Sequence, residues 1–94
     1  MQTKVVHKSK ASFDVYIGRP SIWGNPFPLH ENTTRDRVIQ AYAEWVVKQP
    51  RLMRQVGELR GKTLGCWCTP KRCHGDVLAL LADGVSPNCL DLFI

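Results

Sequence analysis

A small single α/β domain is the fold class that the sequence predicts: a short sheet with helices packed on it, and a cysteine cluster at a strand-loop-helix junction. Three observations predict it. Short β-branched and aromatic runs stand near the start, one long helical stripe occupies the middle, and a strand-like segment meets an apolar helical pattern at the cysteines. Ninety-four residues suffice for one domain with a modest core. That domain is expected over residues 1–84, with 85–94 as a C-terminal tail.

Residues 3–8 and 13–17 (Phe-Asp-Val-Tyr-Ile) read as strands, the second closed by Gly18 with Pro20 beyond it, and Lys8 to Ser12 as the turn between them. Ile17 to Leu29 carries two glycines, an asparagine and three prolines, which rules out a helix or a central strand and predicts a loop. Thr33 and Thr34 precede a helical pattern, with Asp36 spaced for a capping box against Thr33. Within it Val38, Ala41, Tyr42 and Trp45 recur at i, i+3, i+4 and i+7, and Ile39 and Val46 widen the stripe. Pro50 is expected to end this helix, because its ring cannot donate a hydrogen bond and pushes the preceding residue out of the α region. A second short helix from about Arg51 to Leu59 would bury Leu52, Val56 and Leu59.

Gly61 resets the chain, and Lys62 to Cys68 reads as a strand with Leu64, Cys66 and Cys68 on one face at period two. Thr69-Pro70 closes it. From about Cys73 to Ala82 the pattern of Val77, Leu78, Leu80 and Leu81 predicts a helix that Gly84 terminates. In the last ten residues Leu90, Leu92, Phe93 and Ile94 fit a closing edge strand or an extended tail.

Charge is unevenly placed. Thirteen Lys and Arg against eight Asp and Glu give a net +5, and every base precedes Cys73, whereas Gly75–Ile94 carries only Asp76, Asp83 and Asp91. Such asymmetry favours an anionic partner, a nucleotide or nucleic acid among them. Lys4, Lys8 and Lys10 would form a binding edge or keep an exposed strand from self-pairing. The N-terminus has no apolar run of signal-peptide type, and no stretch of about 18 apolar residues could span a bilayer. No membrane partner is expected, and the chain reads as cytoplasmic with reduced thiols.

Three of the four cysteines and one of the three histidines fall within residues 66–74. Thiolate and imidazole hold zinc, act as nucleophiles and exchange electrons, so the chemistry should lie here. As metal ligands, Cys66 and Cys68 would project from one strand face and Cys73 would return across the loop. His74 would be the weaker fourth, because neighbours at a helix start diverge by about 100°. Cys89, His7, His30 or a water could complete the sphere instead. As a metal-free site, Cys73 at the helix N-terminus would be a nucleophile of lowered pKa with His74 as general acid or base, and Lys71 and Arg72 would strengthen the field for an anion. As plain packing, Cys66 and Cys68 would be small apolar residues of an inward face. In the loop, Trp23 or Phe27 could stack on a base, Arg19 could reach a phosphate and Asn25 could read an edge. Alternatively the two rings plug a small core, and the loop is a rigid turn.

Tyr16-Ile-Gly-Arg-Pro-x-x-Trp-Gly-Asn-Pro-Phe27 and Leu59-Arg-Gly-Lys-x-Leu-Gly-Cys-Trp-Cys-x-Pro-x-x-Cys-His-Gly-Asp-Val-Leu78 resemble the family known as domain of unknown function 4326, small proteins of bacteria and their phages. The resemblance spans about residues 4–84. It implies that both motifs serve one functional unit in a bacterial or phage-infected cytoplasm, and it supplies no activity. The junction is also similar to a second uncharacterised family whose motif ends in Cys-His-Arg, where this chain has Gly75.

These readings converge on one expectation. The chain would bind a metal, zinc above others, through Cys66, Cys68, Cys73 and His74. It would present Arg19, Trp23, Asn25, Lys71 and Arg72 to a nucleotide or nucleic acid. The alternatives are a metal-free enzyme acting on a nucleotide or nucleoside through Cys73 or His74, and a phage-type adaptor or inhibitor that binds a host protein.

Overall fold

A computed structural model of the protein describes residues 2–27, 34–67 and 73–92. Among the described residues three strands, β1 (Lys4–His7), β2 (Val15–Tyr16) and β3 (Thr63–Cys66), form one parallel sheet in the order β1-β3-β2. Lys4 stands opposite Thr63 on one side of β3, and Val15 stands opposite Leu64 on the other. The helices are α1 (Arg35–Val46), α2 (Pro50–Gln55) and α3 (His74–Ala82), with short 3₁₀ helices at Val56–Leu59 and Pro87–Leu92. The α/β class expected from the sequence is the class observed.

The segment after β1 departs from the expected turn. Because β1 and β2 both run parallel to β3 and flank it, the chain between them must cross the sheet rather than fold back as a hairpin. Lys8 N–H bonds the Cys66 carbonyl at one end of the crossing, and Asp14 N–H bonds the Thr63 carbonyl at the other. Gly65 makes room for it, since a Cβ there would lie 2.6 Å from the Phe13 ring. The face of β3 that carries Gly65 is therefore covered by a loop. Leu64 and Cys66, on the opposite face by strand alternation, are buried in the core.

Three element ends also shift. Thr34 caps α1, its Oγ1 accepting from Arg37 N–H at 3.2 Å, whereas Thr33 lies outside the described residues. α1 stops at Val46, where Lys48 and Gln49 fold back onto the Trp45 and Val46 carbonyls. Pro50 instead opens α2, in the first turn, where its missing N–H costs nothing. Over its described residues the tail forms a 3₁₀ helix rather than a strand or extended chain, and Leu90 enters the core.

The core joins Ile17, Tyr42, Val46, Leu64, Cys66, Val77 and Leu78, with Leu52, Val56 and Leu59 buried as expected. α3 packs on β1, α1 packs on α3, and the Val56–Leu59 turn closes the other side of α3. The radius of gyration, 12.3 Å, is that of one domain of this length, about 12 Å. No helix among the described residues is long and apolar enough to cross a membrane.

Thr3 fastens the end of α3 to the start of the sheet. Its N–H and hydroxyl donate to the Asp83 carboxylate, the hydroxyl at 2.6 Å, while Gly61 N–H donates to the same hydroxyl. These bonds hold the Asp83 carboxyl below the usual carboxylate range. A depressed folded-state pKa makes this clasp fully effective above the ordinary carboxylate pKa, and its contribution fades as pH falls through the folded value. Asp83→Asn is therefore expected to remove part of the acid-side loss of stability, read as a flatter urea-midpoint profile below about pH 4.

Candidate functional site

At the carboxyl ends of the parallel strands lies a cavity of about 260 Å³. Ligands bind at this edge in open parallel α/β sheets, because the loops leaving the strands diverge there. Gly18, Arg19, Asn25 and Phe27 line it from the loop after β2, Arg35, Val38 and Ile39 from the start of α1, and Cys66, Trp67, Cys73 and His74 from the junction of β3 with α3. The volume lies just under the usual range for small-molecule sites, which is room for one small molecule.

Both described cysteines of the cluster are buried in this wall, with Cys66 Sγ 3.3 Å from Cys73 Sγ. Strand periodicity turns Cys66 inward, and Cys73 meets it because it is the N-cap of α3. The Cys73 Sγ accepts from Gly75 N–H, and the Asp76 carboxylate accepts from Cys73 N–H. That reciprocal cap consumes donors that would otherwise face an anion, and it puts a carboxylate in the first turn. The positive charge that faces the cavity therefore comes from the arginines rather than from the helix end. Hydrogen bonding to Cys66, and then burial, push the Cys73 thiol well above its ordinary range. Gly75 is held to zero side chain by the same junction: a Cβ there would lie 2.7 Å from Ile17 Cδ1 and 3.0 Å from Val5 Cγ1.

His74 follows Cys73 directly but turns elsewhere. Its Nε2–H donates to the Ile17 carbonyl at 2.7 Å, and its ring meets Tyr42 edge to face at 5.0 Å. A carbonyl can only accept, so the proton resides on Nε2 and the lone pair on Nδ1. Burial lowers the pKa of the ring and keeps it neutral. Tyr42 in turn donates to the Trp23 carbonyl at 2.8 Å, and burial raises its phenol pKa. The chain α1, His74 and loop thus fixes the backbone of Ile17 and Trp23 beside the cavity.

The loop residues divide. Arg19 is exposed and lines the cavity, with its charge close enough to act on His74. Asn25 also lines it, although its Oδ1 accepts from Phe27 N–H and so shapes the loop. Trp23 is 5 % exposed and belongs to the core, not to the cavity wall. Cys68, Lys71, Arg72 and His30 lie outside the described residues. Among the described residues no three of His, Cys, Asp and Glu are grouped to hold a metal ion, so Cys66, Cys73 and His74 are not a ligand set by themselves.

Arg35 and Trp67 are cavity residues that carry no binding role in the sequence reading, and Val38 and Ile39 appear there only as part of the apolar stripe of α1. Arg35 and Arg37 both stand in the first turn of α1 around Asp36, so charge against the macrodipole does not tell the lining residue from its neighbour. Trp67 falls between two strand-like cysteines and, by alternation, away from their face.

The family model described as Domain of unknown function (DUF4326) matches residues 2–84. An uncharacterized 12.4 kDa protein in the nrdA-td intergenic region of Enterobacteria phage T4 is 35% identical over 80 residues, covering 81% of this chain and 73% of its own length. Uncharacterized protein R718 of Acanthamoeba polyphaga mimivirus is 35% identical over 86 residues, covering 72% of this chain and 65% of its own length. No solved structure matches.

Proposed function

We propose that this chain, which belongs to the DUF4326 family, binds a nucleotide-class anion in the cavity at the carboxyl edge of its sheet, with zinc held by the cysteines at the cavity wall. The observation that carries the reading is the composition of that cavity. Arg19 and Arg35 supply two permanent cations, Phe27 and Trp67 supply ring faces, and Asn25 supplies an amide, around a volume fit for a single small ligand. Guanidinium groups recognise phosphate through paired hydrogen bonds, and aromatic rings recognise any base through its π-face.

The sulfur pair fits zinc. Two thiolates on one tetrahedral zinc lie about 3.8 Å apart, and Cys66 and Cys73 are at 3.3 Å, so a small opening admits the ion. Cys68 is the third sulfur of this reading, and an oxygen of water or ligand takes the fourth position. His74 has its Nε2 committed to Ile17, and it positions the wall. Surroundings that favour the protonated thiol make Cys73 a poor nucleophile, and a zinc ion bound there would have to displace that proton. A reducing cytoplasm suits such thiols.

Calorimetric titration of the purified protein with nucleoside monophosphates tests the cavity. Binding to the wild type is expected to weaken about 10- to 100-fold on Arg19→Ala, the loss of one charge-assisted hydrogen-bonding group at about 1.5–3 kcal/mol. Equal affinity in wild type and variant contradicts the reading.

A further inference from the structure

Trp67 belongs to two surfaces at once. It lines the cavity, and at 57 % exposure it also anchors an aromatic patch on the sheet face that the helices leave uncovered. On that patch Trp67 Nε1–H donates to the Tyr16 hydroxyl at 3.1 Å, the His7 ring meets Trp67 edge-on at 5.7 Å, and the Phe13 ring lies 6.4 Å from Tyr16 and is 38 % exposed. The Lys8 ammonium sits 4.4 Å from the Trp67 ring and 5.1 Å from that of Tyr16. Lys4 shares the Lys8 face of the strand by alternation, and Lys10 follows on the exposed crossing. Rings interleaved with cations are the surface that stacks bases while neutralising phosphates.

Resting on the nucleotide reading of the cavity, we propose that the nucleotide it takes is part of a single-stranded nucleic acid. The strand lies across Phe13, Tyr16 and Trp67 with its phosphates toward Lys4, Lys8 and Lys10, and one nucleotide turns past Trp67 into the cavity. The positive charge of this N-terminal stretch, within a chain of net +5, complements a polyanion. A duplex is excluded by the same geometry, because paired bases hide the faces that Phe13 and Trp67 would contact, and the cavity admits one small group.

The test compares a nucleoside monophosphate with a single-stranded oligothymidylate of about eight nucleotides by calorimetry on the full chain, at low and moderate salt. The oligonucleotide is expected to bind at least about tenfold more tightly, with the advantage shrinking as salt rises. Lys4→Glu combined with Lys10→Glu is expected to abolish that advantage while leaving monophosphate affinity within about twofold, since neither residue lines the cavity or is among those that touch Trp67. Phe13→Leu, which keeps an apolar cover over Gly65, is expected to reduce only the oligonucleotide affinity. Equal affinity for both probes in the wild type overturns the strand proposal and leaves the cavity reading standing. An oligonucleotide advantage that survives the double charge reversal overturns the surface proposed here. Failure of both probes to bind overturns the two together.

Discussion

Replacing His74 by leucine is expected to lower the stability of the domain by about 1–3 kcal/mol, read as a shift of the urea midpoint at unchanged slope. Leucine approximates the volume of the ring but carries no donor, so the Ile17 carbonyl, held at 2.7 Å by Nε2–H, is left unpaired in a region where Ile17 is fully buried. The edge-to-face contact with Tyr42 is lost as well. Glutamine at the same position retains a terminal N–H and is expected to recover part of the loss, which separates the hydrogen bond from simple packing. Because Ile17 immediately precedes Gly18 and Arg19 in the cavity wall, the leucine variant should also bind nucleoside monophosphates less tightly than its residual folded fraction explains. A variant as stable as wild type would mean that the loop after β2 is held by other contacts.

The second large effect concerns metal. Protein purified from cells supplied with zinc is expected to keep about one equivalent of zinc through dialysis, and Cys66→Ser is expected to lose it entirely. Serine keeps the size of the side chain at a fully buried site, so the variant should remain folded while its hydroxyl fails to replace a thiolate as a soft ligand. The Cys73→Ser variant is the informative partner, because serine is itself a good N-cap and leaves α3 capped while removing the second sulfur. Loss of zinc in both, with circular dichroism unchanged, assigns the ion to the facing pair. Metal retained by both variants, or absent from the wild type, removes zinc from the proposal.

Periodicity made the elements legible and left their pairing hidden. Strand-like composition at Lys4–His7 and Val15–Tyr16, the apolar stripe of α1 and the pattern of α3 are all local signals, and each element is present. Whether β1 and β2 pair with each other or with β3 depends on a strand some fifty residues away. A short polar connection between two β-branched runs reads as a turn unless the weight of Gly65 under Phe13 is known. Pro50 starts a helix where the sequence predicts a stop, because a proline marks a boundary without saying on which side the helix lies. The C-terminal segment alternates too little to distinguish a strand from the 3₁₀ helix that tucks Leu90 inward.

The site was legible where spacing alone defines it. Cys66 on a strand and Cys73 at the following helix cap come within 3.3 Å of each other, as a return of the chain after the strand allows, and Arg19 and Asn25 reach the same cavity from the loop. An aromatic residue in a glycine- and proline-rich loop carries no such signal. Trp23 plugs the core and Phe27 lines the cavity, four residues apart and with the same local composition. The partnership of His74 with Ile17 is equally invisible, since it joins a side chain to a backbone carbonyl 57 residues away.

The central claim, that the cavity between the β2 loop, α1 and the cysteine junction is the ligand site, is tested most directly by amide chemical-shift mapping. On addition of a nucleoside monophosphate to uniformly labelled protein, saturable shifts are expected to concentrate at Gly18, Arg19, Asn25, Phe27, Trp67 and His74, with α2 (Pro50–Gln55) unmoved. Shifts confined to α2 and the 3₁₀ helix at Val56–Leu59, or no saturable shifts in a folded protein, would contradict it.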